Sequence, residues 1–142
     1  MAAIELVNYI KSDPKNVYLA LTTRDGLSEV WTRECNVVAR IGAVNTFQFG
    51  EDDTTEFEIT ELIPGQKITW KCIRSDAEWV GTYISLELKE MKNGAAVLLR
   101  HSGWKEITEF YRWCNYNWAF FLYSLKCYCE EGTGIPFQDR KF

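Results

Sequence analysis

Hydrophobic side chains along this chain follow two rhythms, and the change from one to the other divides it. From Asn36 to Ser102 apolar and polar positions alternate, which is the period of strands with one buried face. The alternation predicts strands over Asn36–Arg40, Val44–Phe49, Thr55–Ile63, Ile68–Ile73, Trp79–Met91 and Ala95–Ser102. Phe47 pairs on one face with Phe49, Phe57 with Ile59, and Ile68 with Trp70 and Cys72. Further on, Ile84 falls with Leu86 and Leu88, and Val97 with Leu99 and His101. Pro64-Gly65 has the chemistry of a type II turn and Asn93-Gly94 that of a two-residue hairpin. Ala3–Ile10 alternates more weakly and predicts a first strand.

Two other stretches follow the helical period. Thr108–Glu131 holds neither Pro nor Gly and predicts one helix, about 36 Å long at 1.5 Å per residue. Thr108 suits its N-cap, Glu109 sits well against the dipole, Gly132 is placed for a left-handed C-cap, and Pro136 stops any resumption. Tyr111, Asn115, Trp118, Leu122, Leu125 and Cys129 share one side of it. A short helix is predicted at Pro14–Thr22, with Asp13 as cap and Pro14 at the first position. After an interruption at Asp25-Gly26, Leu27, Val30 and Trp31 predict a second. Helices this short need a larger partner.

A meander of about six hairpin-linked strands, apolar on one side, needs one cover, and the last helix is the segment long enough. The predicted fold is α+β: one domain over residues 1–142, with a curved antiparallel sheet of about seven strands around the long C-terminal helix. Two short helices follow the first strand. A bent sheet around a straight rod leaves space where their curvatures differ, and the aromatic content gives that space a character. Hydrophobic residues make up 46% and aromatics 15%, with six Trp, so large flat groups either fill the interior or line a hollow in it.

Charge narrows the partners. The net charge of -4 is spread over 16 basic and 20 acidic residues, with no basic patch, so nucleic acid and anionic membranes are not indicated. The first ten residues lack the basic and apolar regions of a signal peptide, and the longest apolar run, Trp118–Tyr123, is too short to span a bilayer. Five cysteines (Cys35, Cys72, Cys114, Cys127, Cys129), an odd number without CxxC or metal-ligand spacing, indicate reduced thiols in a cytoplasmic protein. The acidic turn Glu51-Asp52-Asp53 lacks the spacing of a calcium loop, and Gly132-Thr133-Gly134 lacks the Lys-Ser/Thr of a phosphate loop. No metal, cofactor or catalytic residue is assigned.

In order and spacing, a set of segments resembles a known family. They are Pro14 with Val17 and Ala20-Leu21-Thr22, Leu27, Trp31-Thr32, Glu61-Leu62-Ile63-Pro64-Gly65, Ile68-Thr69-Trp70-Lys71-Cys72 and Trp79-Val80-Gly81-Thr82. They continue with His101-Ser102-Gly103-Trp104, Trp118 with Leu122, Ser124-Leu125-Lys126, and Gly132-Thr133-Gly134 before Pro136. The chain resembles the helix-grip fold of the START-like (SRPBCC) superfamily and, within it, the family named for homology to the activator of the heat-shock-protein ATPase. The resemblance implies a mostly apolar cavity between sheet and last helix, used for lipids, polyketide-like or other apolar small molecules. Chaperone activators of that name match only in their C-terminal part and carry a further N-terminal domain. These residues show no counterpart of its chaperone-contacting motif, so the family name does not transfer as a function.

The leading expectation is therefore binding of a small hydrophobic or amphipathic molecule in that cavity. Trp70, Cys72, Ile84, Leu86, Leu99 and His101 on the sheet face Trp118, Leu122 and Leu125 on the helix. Phe47, Phe49, Phe57 and Ile59 extend the wall and Trp31 guards the mouth; plain core packing is the alternative for each. A cyclase- or hydrolase-type enzyme with His101, the sole His, as its polar group is the second expectation. The third is a co-chaperone-like protein-interaction module. Trp113, Tyr116, Phe120 and Tyr123 form a separate aromatic stripe on the last helix, which suits a homodimer or packing by Ile135–Phe142.

Overall fold

A computed structural model describes residues 2–141 of the chain. In order the elements are β1 (Ala2–Ile10), α1 (Pro14–Thr22), α2 (Arg24–Val30), β2 (Cys35–Asn36), β3 (Val44–Gln48) and β4 (Thr54–Ile63). They continue as β5 (Lys67–Arg74), β6 (Tyr83–Met91), β7 (Gly94–Trp104) and α3 (Glu109–Glu131), with a short 3-10 turn at Phe137–Asp139. The seven strands form one antiparallel sheet in the order β1-β7-β6-β5-β4-β3-β2. The meander thus runs from β2 to β7, and β1 closes the far side on β7.

Helix ends follow their local chemistry. Asp13 accepts from the Lys15 N–H at 2.8 Å and Pro14 opens α1. Thr108 accepts from the Tyr111 N–H at 3.0 Å, and Gly132 closes α3 in the left-handed conformation (φ 85°). One expectation fails here: Asp25-Gly26 does not interrupt a helix but lies inside α2, whose cap is Thr23. Gly26 serves contact rather than breakage. A Cβ there would lie 2.1 Å from the Ala20 carbonyl oxygen, so only glycine lets α2 cross α1 this closely.

Three strand expectations also need correction. The strand predicted at Asn36–Arg40 is only Cys35–Asn36, because the Val38 N–H turns to the Asn45 side-chain oxygen at 2.9 Å and leaves the ladder. The strand predicted to Phe49 ends at Gln48, where the Phe49 N–H bonds to the Asp53 carbonyl. The strand predicted from Trp79 begins at Tyr83. Residues 75–82 are instead a loop of turns, with Trp79 N–H on the Asp76 carbonyl and Thr82 N–H on that of Trp79. At the β6–β7 hairpin the loop residues are Lys92-Asn93, and Gly94 already pairs with Met91.

Sheet curvature comes from bulges. Thr60 interrupts the register of β4 on β5, and Gly103 interrupts that of β7 on β1. Gly103 has φ +95°, and its extra residue shifts the alternation so that Trp104 turns inward beside Val97, Leu99 and His101. The concave face so formed packs on Cys114, Trp118, Phe121, Leu122 and Leu125 of α3. Asn115, expected on this stripe, is exposed. Cys114 and Phe121 join Trp118, Leu122 and Leu125 inside, because the buried stripe is turned toward their side of the helix.

Candidate functional site

Beneath α3 the chain places a buried polar chain of three side chains. His101 on β7 is fully buried. The Trp118 indole N–H, which can only donate, gives its proton to His101 Nδ1 at 3.0 Å. Nδ1 is therefore unprotonated, and the proton of the neutral ring sits on Nε2, which donates to Thr82 Oγ at 2.8 Å. Thr82 in turn donates to the Trp79 carbonyl at 2.5 Å. Burial pulls the His101 pKa down to about 3, so the ring stays neutral. Both nitrogens are committed to pinning sheet, loop and helix together, which leaves none for proton transfer near neutral pH.

A pH effect follows. In the unfolded chain His101 titrates near its ordinary value of 6.5, well above its folded value, so the unfolded state binds the extra proton. Its contribution to stability is complete above pH 6.5 and is lost as pH falls toward 3. Urea unfolding is expected to show about 2 kcal/mol less stability from His101 at pH 5 than at pH 7. The difference between wild type and His101→Phe isolates it; an equal slope in both would contradict it.

Around this chain the large rings fill the space between sheet and helix. Trp31 stacks on Trp70 (6.1 Å, 8°) and on Phe57 (5.9 Å, 11°), and Phe57 stacks on Trp79 (6.2 Å, 27°). Trp79 stacks on Trp118 (5.7 Å, 11°), and Phe121 meets Trp31 and Trp118 edge-on. Ring pairs of this kind add about 0.5–1.5 kcal/mol each beyond their buried area. Phe47, Phe57, Ile59, Trp70, Cys72, Ile84, Leu86, Leu99, His101, Trp118, Leu122 and Leu125 all lie in this core. Burial holds the Cys72 thiol protonated, its pKa pushed up to about 12.

What stays open is a cleft of about 590 Å³ at one end of the core. Of the residues predicted to line a cavity, Trp31 and Phe49 reach it; the others stand behind them. Trp79, Phe110, Trp113 and Phe137 complete its aromatic walls, and Cys114 takes a hydrogen bond from the Trp79 indole at 3.3 Å. The rim is polar and carries Asp53, Asp76, Arg74 and Arg140. Asp53 is held above the usual carboxylate range by burial and by the charge of Asp76. A wider groove of about 670 Å³ lies along the β2–β3 edge, lined by polar and charged side chains such as Arg24, Glu34 and Gln48. The cleft, not that groove, joins aromatic walls to polar groups, the combination that suits a small amphipathic molecule.

Sequence reading missed Trp79, Phe110, Phe137 and Arg140 at this site. Trp79 was hidden by its assignment to a strand, although Asp76 and Gly81 are turn residues and Gly81 has φ +88°. Phe137 and Arg140 belong to the segment after α3, which has no periodicity. It is tied down by the Phe137 N–H on the Trp31 carbonyl, Gln138 on Thr32, and a bidentate Arg33–Asp139 pair.

A bent seven-stranded antiparallel sheet gripping a long C-terminal helix, with two short helices after the first strand, is the helix-grip architecture of START-like proteins. A family model described as "Activator of Hsp90 ATPase homolog 1-like protein" matches residues 11–130, and the chain belongs to that family. Among solved structures it is similar to the Aha1 dimer from Colwellia psychrerythraea, with 37% identity and a TM-score of 0.87 over 94% of this chain and 100% of that one. It is similar in fold to protein SSP2350 from Staphylococcus saprophyticus, at 17% identity and TM-score 0.80 over 96% and 99% of the two chains. DynU16, a protein of the dynemicin biosynthetic locus, shares the fold at 16% identity and TM-score 0.76, over 93% of this chain and 48% of that one. No curated protein matches. No helix among the described residues is long and apolar enough to cross a membrane.

Proposed function

We propose that the chain binds a small apolar or amphipathic molecule in the aromatic cleft that stays open at one end of the core. The observation that carries this is the cleft itself: Trp31, Phe49, Trp79 and Trp113 line an opening of about 590 Å³ together with polar and charged side chains such as Thr55, Asn117 and Arg140. Apolar walls supply affinity by removing surface from water, and a few rim groups orient the guest. The enzyme alternative draws no support from His101, whose ring nitrogens are both engaged. Naphthalene-2-carboxamide titrated into labelled protein is expected to shift the indole N–H signals of Trp31, Trp79 and Trp113 saturably and leave Trp104 in place. Asn117→Trp, which fills the cleft from α3, is expected to abolish the shifts. An unchanged spectrum at millimolar probe, with no small-molecule adduct in native mass spectrometry, would remove this reading.

A second reading concerns the outer face of α3. Trp113, Tyr116 and Tyr123 are each about half exposed and continue into Phe120, and the 37% identical relative was solved as a dimer. We infer a homodimer through this face, which the acidic variant Tyr116→Asp is expected to convert to monomer. Light scattering giving a monomeric mass for wild type at micromolar concentration would contradict it. The segment after α3 covers part of the same face, since the Arg140 guanidinium lies 4.8 Å from the Phe120 ring centre.

A further inference from the structure

Arg140 lines the aromatic cleft, yet no carboxylate among the described residues lies within ion-pairing distance of it. Its partners are backbone carbonyls: Nε donates to Ile135 O at 3.0 Å and Nη2 to Val30 O at 3.1 Å. A guanidinium has five N–H donors, so with these two used three remain, two on Nη1 and one on Nη2. These remaining donors are available to a carboxylate, whose oxygens take charge-assisted hydrogen bonds from a guanidinium. Carbonyls and the Phe120 face fix the head in place without neutralising it. Partial burial draws its pKa down to about 10, with no acid offsetting that effect. Asp52 and Asp53 on the β3–β4 turn and Asp76 on the β5–β6 loop line the same cleft, none of them within ion-pairing distance of Arg140.

The aromatic lining sets the body of such a guest. Trp31 and Trp79 both line the cleft and both lie nearly parallel to Phe57 beneath them. No ring contact joins the two indoles directly among the described residues. A flat apolar body among the aromatic walls would leave a charged end beside Arg140, which lines the same cleft. We infer that the ligand class of this cleft is an organic carboxylate with a flat apolar body, its carboxylate held by the N–H groups that Arg140 has left. This rests on the binding reading above and goes beyond it by assigning the sign of charge and the residue that selects it.

The test compares naphthalene-2-carboxylate with its neutral amide by nuclear magnetic resonance titration, on wild type, Arg140→Gln and Arg140→Lys. Wild type is expected to bind the carboxylate at least about tenfold tighter than the amide, and Arg140→Gln to bring the ratio of the two affinities close to one. Arg140→Lys is expected to keep part of the preference, since it keeps the charge but not the fork. Equal affinity for both probes in wild type would overturn the proposal and leave the binding reading standing. Binding of neither probe would overturn both. Should Arg140→Gln loosen the chain end, visible as a lower Tm, the two-probe comparison in wild type and Arg140→Lys still decides.

Discussion

His101→Ala is expected to lower the unfolding free energy by about 3–5 kcal/mol at pH 7, a large share of a typical domain's stability. Two losses combine. The ring stands 4.9 Å from Trp79 and from Trp104, so truncation leaves a void lined by aromatic faces that cannot close without moving strands. The Trp118 N–H also loses its acceptor, and a buried unpaired donor costs about 1–3 kcal/mol. His101→Phe fills the void without restoring the acceptor, so it is expected to cost only the second part. Chemical denaturation of the three proteins measures both. A loss below 1 kcal/mol in His101→Ala would mean the buried polar chain holds nothing together.

Phe57→Ala is expected to be comparably destabilising, by about 3–5 kcal/mol, because Phe57 is fully buried and stacks against Trp31, Trp70 and Trp79. Its second effect is functional. Phe57 supports two of the cleft's three indoles, those of Trp31 and Trp79, so its removal deepens the opening toward Trp70. The variant is expected to bind naphthalene-2-carboxamide more weakly, since the wall has lost its backing, and to admit a larger ring system that wild type excludes. Thermal unfolding and the same resonance titration read the two effects separately. A variant with lowered Tm and unchanged affinities for both sizes would show that the rings behind the mouth have no part in shaping it.

Much of the frame was visible in residue order, and the misses have identifiable causes. The caps at Asp13, Thr108 and Gly132 were legible because each is decided within one turn of the chain. Strand faces such as Val97, Leu99 and His101 were legible because a half-buried sheet imposes a period of two. Asn36–Arg40 was overextended because its alternation is real but its hydrogen bonds go to the Asn45 side chain. Asn115 was placed inside because apolar spacing defines a stripe only to within about one position, and the fit to the sheet chooses between neighbours.

The cleft belongs to a different category. Trp79, Trp113, Phe137 and Arg140 come from a loop, a helix and the segment after it, and nothing local to any of them requires that they meet. Even the inward turn of Trp104 depends on the Gly103 bulge, which becomes visible only once β1 is paired with β7.

Short-range chemistry along the chain was enough to set the order of elements, their caps and the side each strand presents to the core, because those preferences act between residues a few positions apart. Folding was needed to fill the interior with stacked rings, to lock His101 into a neutral link and to leave an opening at one end. Those outcomes depend on how much volume distant side chains occupy when sheet and helix close on each other.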